Sequence, residues 1–225
     1  MLDSQLPFGT FPMADSRAWF RPPLASLADG ELRTVPAVAQ DVSSNRGLIQ
    51  VGALAAIAAG ALRMVGALLP IDQASAGLAV LYLVTDVGIA LGLIAWYFAQ
   101  HASVGVWGSV GFLLGIVGVE IIRSNGAIPG AGLYPPGALL LVVGINVVAY
   151  RAWRARRVPV WVLGLLICSA VAGPIGLVPG LGAFFVLSGL AFGIGFAGVG
   201  AVVWHDLKQR LGQEIDDRLQ PSSSH

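Results

Sequence analysis

Six long runs of apolar residues, separated by short breaks, constrain this chain more than any other feature of its sequence. Hydrophobic residues make up 56% of the chain, and residues 47–205 hold only nine of its 25 charged residues. About 20 apolar residues of helix cross the roughly 30 Å hydrocarbon core of a bilayer, and lipid offers the backbone no hydrogen-bond partners. The chain is therefore predicted to be an all-α, polytopic transmembrane helix bundle surrounded by a lipid bilayer.

The apolar runs predict six spans, joined by connections so short that consecutive helices lie antiparallel. The predicted spans are residues 47–69, 76–99, 103–122, 133–150, 159–178 and 181–204. Together they form a membrane domain, residues 47–205, between an irregular cytoplasmic arm (1–46) and a polar cytoplasmic tail (206–225). The arm carries prolines and charges of both signs and lacks the apolar core of a signal peptide, and either Met1 or Met13 could be its start.

Basic residues predict how the spans are oriented. They concentrate in three segments that lie on one side of the membrane: Arg46 before the first span, Arg151, Arg154, Arg156 and Arg157 between the fourth and fifth, and Lys208 and Arg210 after the sixth. The positive-inside rule makes this side the cytoplasm. Five tryptophans at the same ends of their spans agree, because indole rings favour the headgroup boundary: Trp96, Trp107, Trp153, Trp161 and Trp204. Both termini are thus expected to be cytoplasmic.

Small residues recur at helical spacing in four of the spans. They are Gly52, Ala56 and Gly60 in the first, Gly88 and Gly92 in the second, Gly108, Gly111, Gly115 and Gly118 in the third, and Gly189, Gly193 and Ala197 in the sixth. Such faces let helix backbones approach closely. They predict a compact bundle within one chain, and the alternative is that one face mediates a homo-oligomer or docks another membrane subunit.

Ionisable residues inside the predicted spans are the candidate functional residues, because charge within a membrane is costly and marks function by default. Arg63 and Asp86 are predicted to meet as an ion pair, either structural or part of a transport or protonation site. Tyr82, one helical turn from Asp86, could donate a hydrogen bond to its carboxylate. Glu120 could join this site or pair locally with Arg123, three residues later.

Residue patterns for catalysis, cofactors, metals and nucleic acid are missing from the sequence. No phosphate loop, dinucleotide fingerprint or serine-nucleophile motif is present, and the basic residues do not interleave with aromatics as a nucleic-acid surface requires. His101, His205 and His225 lack the spacing of a helical zinc site. We therefore expect no metal, no cofactor, no nucleic-acid partner and no catalytic residues.

Three segments resemble a known family. Residues 144–167 read GINVVAYRAWRARRVPVWVLGLLI, residues 85–87 read TDV inside an apolar helix, and residues 45–47 read NRG before the first span. These are similar to segments of an uncharacterised family of small bacterial six-span membrane proteins, a domain of unknown function. The resemblance implies a bacterial inner-membrane protein and brings no activity. The long arm and the short link between spans two and three depart from the family pattern.

Three functional hypotheses follow from the sequence. The first is a non-enzymatic membrane component that associates with itself or with other membrane subunits. The second is a small solute or proton-coupled transporter that uses Arg63, Asp86 and Glu120. The third, an enzyme acting on a lipid or quinone, would need His101 or His205 beside a carboxylate.

Overall fold

The computed structural model describes residues 45–69, 76–127 and 132–219, including their side chains except at 125–127 and 214–219. Five α-helices occupy these ranges: α1 (Arg46–Leu68), α2 (Ala76–Ala127), α3 (Tyr134–Arg154), α4 (Val160–Gly176) and α5 (Gly182–Leu219). Four of them are long and apolar enough to cross a membrane, and α4 is a shorter apolar helix. The described part of the chain is all-helical and typical of a membrane protein, as predicted. Most of the predicted arm lies outside the described residues.

The chain reverses direction within α2. This element has 52 residues and would be about 78 Å long if it were straight. Its backbone leaves helical geometry at Gly105, where φ is +62°, a conformation that glycine adopts readily because it has no Cβ. The ring of Tyr97 stacks on that of Phe112 with centroids 4.4 Å apart, whereas 15 residues of straight helix would separate them by about 22 Å. We therefore divide α2 into α2a (76–104) and α2b (106–127), which lie antiparallel.

The bounds of several segments differ from those predicted. The polar residues Gln100 and His101 indicated a link between two spans, but both are helical, and the break falls at Gly105. Helix α2b continues to Ala127, five residues beyond the predicted end at 122. Helix α5 continues to Leu219, so most of the predicted polar tail extends the last helix.

The helices pack in a closed cycle. Helix α1 packs against α2a and α5, α2b packs against α3, and α4 packs against both α3 and α5. Small residues line these contacts, so a methyl group added at Gly60 would lie 2.8 Å from the backbone nitrogen of Ala197, and one at Gly118 would lie 2.7 Å from the carbonyl oxygen of Gly137. Such close approach leaves no room for larger side chains.

Most of the small residues singled out in the sequence lie at contacts between helices of this chain. The contact between α1 and α2a includes Gly52, Gly88 and Gly92, and the contact between α1 and α5 includes Gly60, Gly189 and Gly193. The contact between α2b and α3 includes Gly111 and Gly118, and Gly115 faces Leu93 of α2a. Ala56 is buried, and Gly108 contacts Val104 across the break at Gly105. These faces are occupied within one chain.

Candidate functional site

Packing between α1 and α2a brings Arg63 and Asp86 to the same level of the bundle. Gly66 lies beside the ring of Tyr82 near one end of this contact, and Ala59 lies beside Gly88 farther along it. Arg63 falls between Ala59 and Gly66, and Asp86 falls between Tyr82 and Gly88. The antiparallel pairing of the two helices therefore places these opposite charges level with each other.

Asp86 lies within a group of four charged side chains, which we call the charged centre: Arg63, Asp86, Glu120 and Arg123. The carboxylate of Asp86 is attracted most strongly by Arg63, is attracted less strongly by Arg123, and is repelled by Glu120. The hairpin at Gly105 accounts for the last two interactions, because it folds α2b back beside α2a. The centre thus combines residues of α1 and of both arms of α2.

Asp86 has charged neighbours but no direct polar contact with them. Its carboxylate forms neither a salt bridge nor a hydrogen bond with any of the residues that the structure describes, although Arg63 is its strongest charged neighbour. Within those residues, the ion pair that does form is the local one, with Arg123 Nη1 3.5 Å from Glu120 Oε1. The direct Arg63–Asp86 pairing expected from the sequence is replaced by a looser arrangement.

Burial and depth distinguish the members of the charged centre. Arg63 and Asp86 are half-buried, whereas Glu120 and Arg123 are exposed. At 1.5 Å per residue, Asp86 lies about 15 Å along the helix from the start of α2, and Arg63 lies about 8 Å from the end of α1. Glu120 lies about 10 Å from the end of α2b, deeper than the 3 Å implied by the predicted span, because α2b is longer.

Tyr82 does not donate the hydrogen bond to the carboxylate of Asp86 that the sequence predicted. Its hydroxyl donates to the carbonyl oxygen of Gly66, 3.4 Å away on α1. Tyr82 therefore ties α1 to α2a next to the charged centre and leaves the carboxylate of Asp86 without this donor.

At the opposite end of α2a, a buried polar pair was missed by the sequence analysis. Trp96 and Gln100 lie one helical turn apart, with only 1% and 4% of their surfaces exposed. Neither the indole Nε1 of Trp96 nor either amide atom of Gln100 has a hydrogen-bond partner among the described residues. The sequence analysis placed Gln100 in the link between the second and third predicted spans, whereas the structure places it within α2a.

The five tryptophans expected at the membrane boundary differ in burial. Trp107, Trp153 and Trp161 are exposed, which suits rings at a headgroup boundary, and Trp204 is partly buried. The prediction is wrong for Trp96, because its ring is enclosed by the helix bundle and does not face lipid.

The two histidines in the described residues are engaged locally. His101 Nδ1 lies 3.1 Å from the carbonyl oxygen of Phe98, and His205 Nε2 lies 2.9 Å from Gln209 Nε2. His225 lies outside the described residues. Neither interaction places a histidine beside a carboxylate, the arrangement that the enzyme hypothesis requires.

A half-buried carboxylate beside a fixed cation within a membrane helix can bind and release a proton or a small cation. Such groups mark ion and substrate pathways in membrane proteins. Comparison with known proteins adds no assignment, because no family model, curated protein or solved structure matches this chain.

Proposed function

We propose that the protein crosses a bacterial inner membrane six times, with both termini in the cytoplasm. The reversal at Gly105 supports the count, since it divides the 52-residue α2 into two antiparallel arms that can each span a bilayer. The arginines around α3 and α4 and the exposed tryptophans support the orientation. The resemblance of residues 144–167 to a bacterial six-span family supports the location.

Reporter fusions test this topology. Alkaline phosphatase fused after Ala127, where α2b ends, should be active because that position is predicted to be periplasmic. Green fluorescent protein fused after His225 should fluoresce, since it folds in the cytoplasm. An active phosphatase after His225, together with a dark fluorescent fusion there, would overturn the count or the orientation.

We further propose that the charged centre is the functional site of a small proton-coupled transporter. The observation that carries this proposal is that Asp86 lies within a membrane helix, level with Arg63 and without a direct partner among the described residues. A purely structural pair would gain its stability from direct contact, because removing two charges from water is costly. A carboxylate free of such contacts remains available to a proton or a cation. In this role Asp86 exchanges the proton and Arg63 supplies the neighbouring fixed charge.

The first sequence hypothesis, a non-enzymatic component that associates with itself or with other subunits, rested on two observations. One is the absence of catalytic motifs, and the other is the small-residue faces, which are occupied by helices of the same chain. Association remains a prediction without a specific surface. Co-purification in mild detergent followed by mass spectrometry would reveal a stable partner.

Solid-supported membrane electrophysiology tests the transport proposal. The protein in liposomes would be exposed to a panel of amino acids, sugars and small organic ions under an imposed proton gradient. We expect a transient current with at least one solute, loss of that current in Asp86→Asn, and its retention in Asp206→Asn. The control removes the same charge from α5, 24 residues after its start and outside the charged centre. Equal currents in wild type and Asp86→Asn would contradict the proposal, as would the absence of current with every solute.

A further inference from the structure

A cleft lies between α3 and α4, which pack together less extensively than the other neighbouring helices of the cycle. Its volume is about 610 Å³, and its walls are mainly apolar. Helix α3 contributes Val142, Val143 and Val147, and α4 contributes Leu163, Ile167 and Ala170. The polar end of the cleft is far from Asp86, because Val104, which contacts that end, is 18 residues and thus about 27 Å along α2a from Asp86.

One end of the cleft is polar and basic. Trp107, Tyr150 and Arg151 line it there. Arg151 donates from Nε to the carbonyl oxygen of Val104, 3.2 Å away, and this bond fixes the guanidinium beside the break at Gly105. Its two Nη groups form no hydrogen bond with the described residues. Arg154 adds a second guanidinium, since its Nη1 lies 3.4 Å from the hydroxyl of Tyr150.

The cleft is long enough for part of a hydrocarbon chain. From Arg151 at its basic end to Val142 it extends nine residues along α3, or about 13 Å, and Asn146 lies between these two residues. Leu163 to Ala170 covers about 10 Å of the facing helix in the same way. The cleft thus changes from cationic to apolar along its length, and an exposed Trp107 lies near the cationic end, where amphipathic rings meet headgroups.

We propose that this cleft binds one anionic phospholipid, with the phosphate at Arg151 and Arg154 and an acyl chain between α3 and α4. Charge complementarity selects this occupant, because basic pockets between membrane helices on the cytoplasmic side favour anionic headgroups. The apolar walls select a whole lipid over a soluble phosphate. The Nη groups of Arg151 supply the donors for the phosphate oxygens, and Arg156 and Arg157 in the following loop add positive charge nearby.

Native mass spectrometry tests the proposal. Protein purified in dodecyl maltoside would be titrated with palmitoyl-oleoyl phosphatidylglycerol or with the phosphatidylcholine that carries the same acyl chains. We expect one phosphatidylglycerol to bind at least about tenfold more tightly than phosphatidylcholine. Arg151→Gln should weaken phosphatidylglycerol binding about fivefold, the effect of one arginine near an anionic surface. Arg210→Gln, on the same side but on α5, should leave it unchanged.

A second pair of variants separates the lipid site from a change in folding, since Arg151 also bonds to Val104. Ala170→Trp keeps every arginine and fills the apolar end of the cleft, whereas Val171→Trp places the same side chain on the exposed surface one residue away. We expect only Ala170→Trp to abolish the preference for phosphatidylglycerol, with the two variants melting at similar temperatures. Equal binding of the two lipids, wild-type binding by Ala170→Trp, or equally tight binding of glycerol 3-phosphate would overturn the proposal.

Discussion

Replacing Gly118 with alanine should loosen the α2b–α3 contact. The added methyl carbon would lie 2.7 Å from the carbonyl oxygen of Gly137 and 2.8 Å from the Cα of Leu141. The backbone nitrogen of Leu141 would be closer still. Ordinary contacts of this kind begin at 3.4 Å, so the two helices would have to separate by about 1 Å. Backbone atoms of α3 cannot move aside as a flexible side chain would, and the whole interface must respond.

The size of the effect follows from two opposing contributions. Overpacking of a tight interface costs typically 1–3 kcal/mol, and a gap of 0.5–1 Å forfeits a quarter to a half of each dispersion contact. Alanine regains up to about 1 kcal/mol over glycine in a helix. We therefore expect Gly118→Ala to lower the free energy of unfolding by about 1–2 kcal/mol, or the melting temperature by about 3–6 °C for a chain of this size.

Gly164→Ala is the matched control, because a methyl group there meets nothing within 4 Å on the exposed side of α4. It should raise the melting temperature slightly through helix propensity alone. Thermal unfolding in mild detergent, followed by tryptophan fluorescence, measures both variants. Equal shifts for Gly118→Ala and Gly164→Ala would refute the close approach of α2b and α3.

Two further predictions concern buried polar groups. Asp86→Asn should change the free energy of unfolding by less than about 1 kcal/mol in the same assay, because it removes no salt bridge. A loss of about 3–5 kcal/mol is typical of a broken buried ion pair and would show that Arg63 and Asp86 are in direct contact. Gln100→Met should raise the free energy of unfolding by about 1 kcal/mol or more, since an unpartnered buried amide costs about 1–3 kcal/mol and methionine has a similar shape. A lower stability of this variant would show that the amide has a partner, such as a buried water.

The helical class and the approximate segments could be predicted from the sequence, because hydropathy and length act through the bilayer and do not depend on tertiary detail. The link between α2a and α2b was placed too early for a related reason. Polar residues usually mark the membrane boundary, and Gln100 and His101 are the polar residues at that point. The chain turns instead at Gly105, the residue whose backbone tolerates the required angle.

The arrangement around the candidate site was less predictable. Depth along each helix predicted that Arg63 and Asp86 lie at the same level, since antiparallel neighbours with short links have nearly fixed registers. Rotation of the side chains is set by packing, however, and spacing alone could not show that Tyr82 would bond to Gly66 or that Arg63 would stop short of a salt bridge. The α3–α4 cleft has no sequence signal, because its walls have the same composition as lipid-facing surface.

The reversal at Gly105 is the central feature of the fold, since it folds α2b, with Glu120 and Arg123, back beside α2a, with Asp86. Spin labels at Val87 and Val117, both exposed, test it by pulsed electron resonance in a Cys168→Ser background. A straight α2 would separate the two positions by about 45 Å. The hairpin predicts a distance below about 25 Å, with the lengths of the labels included. A distribution centred near 45 Å would contradict the fold and the charged centre together.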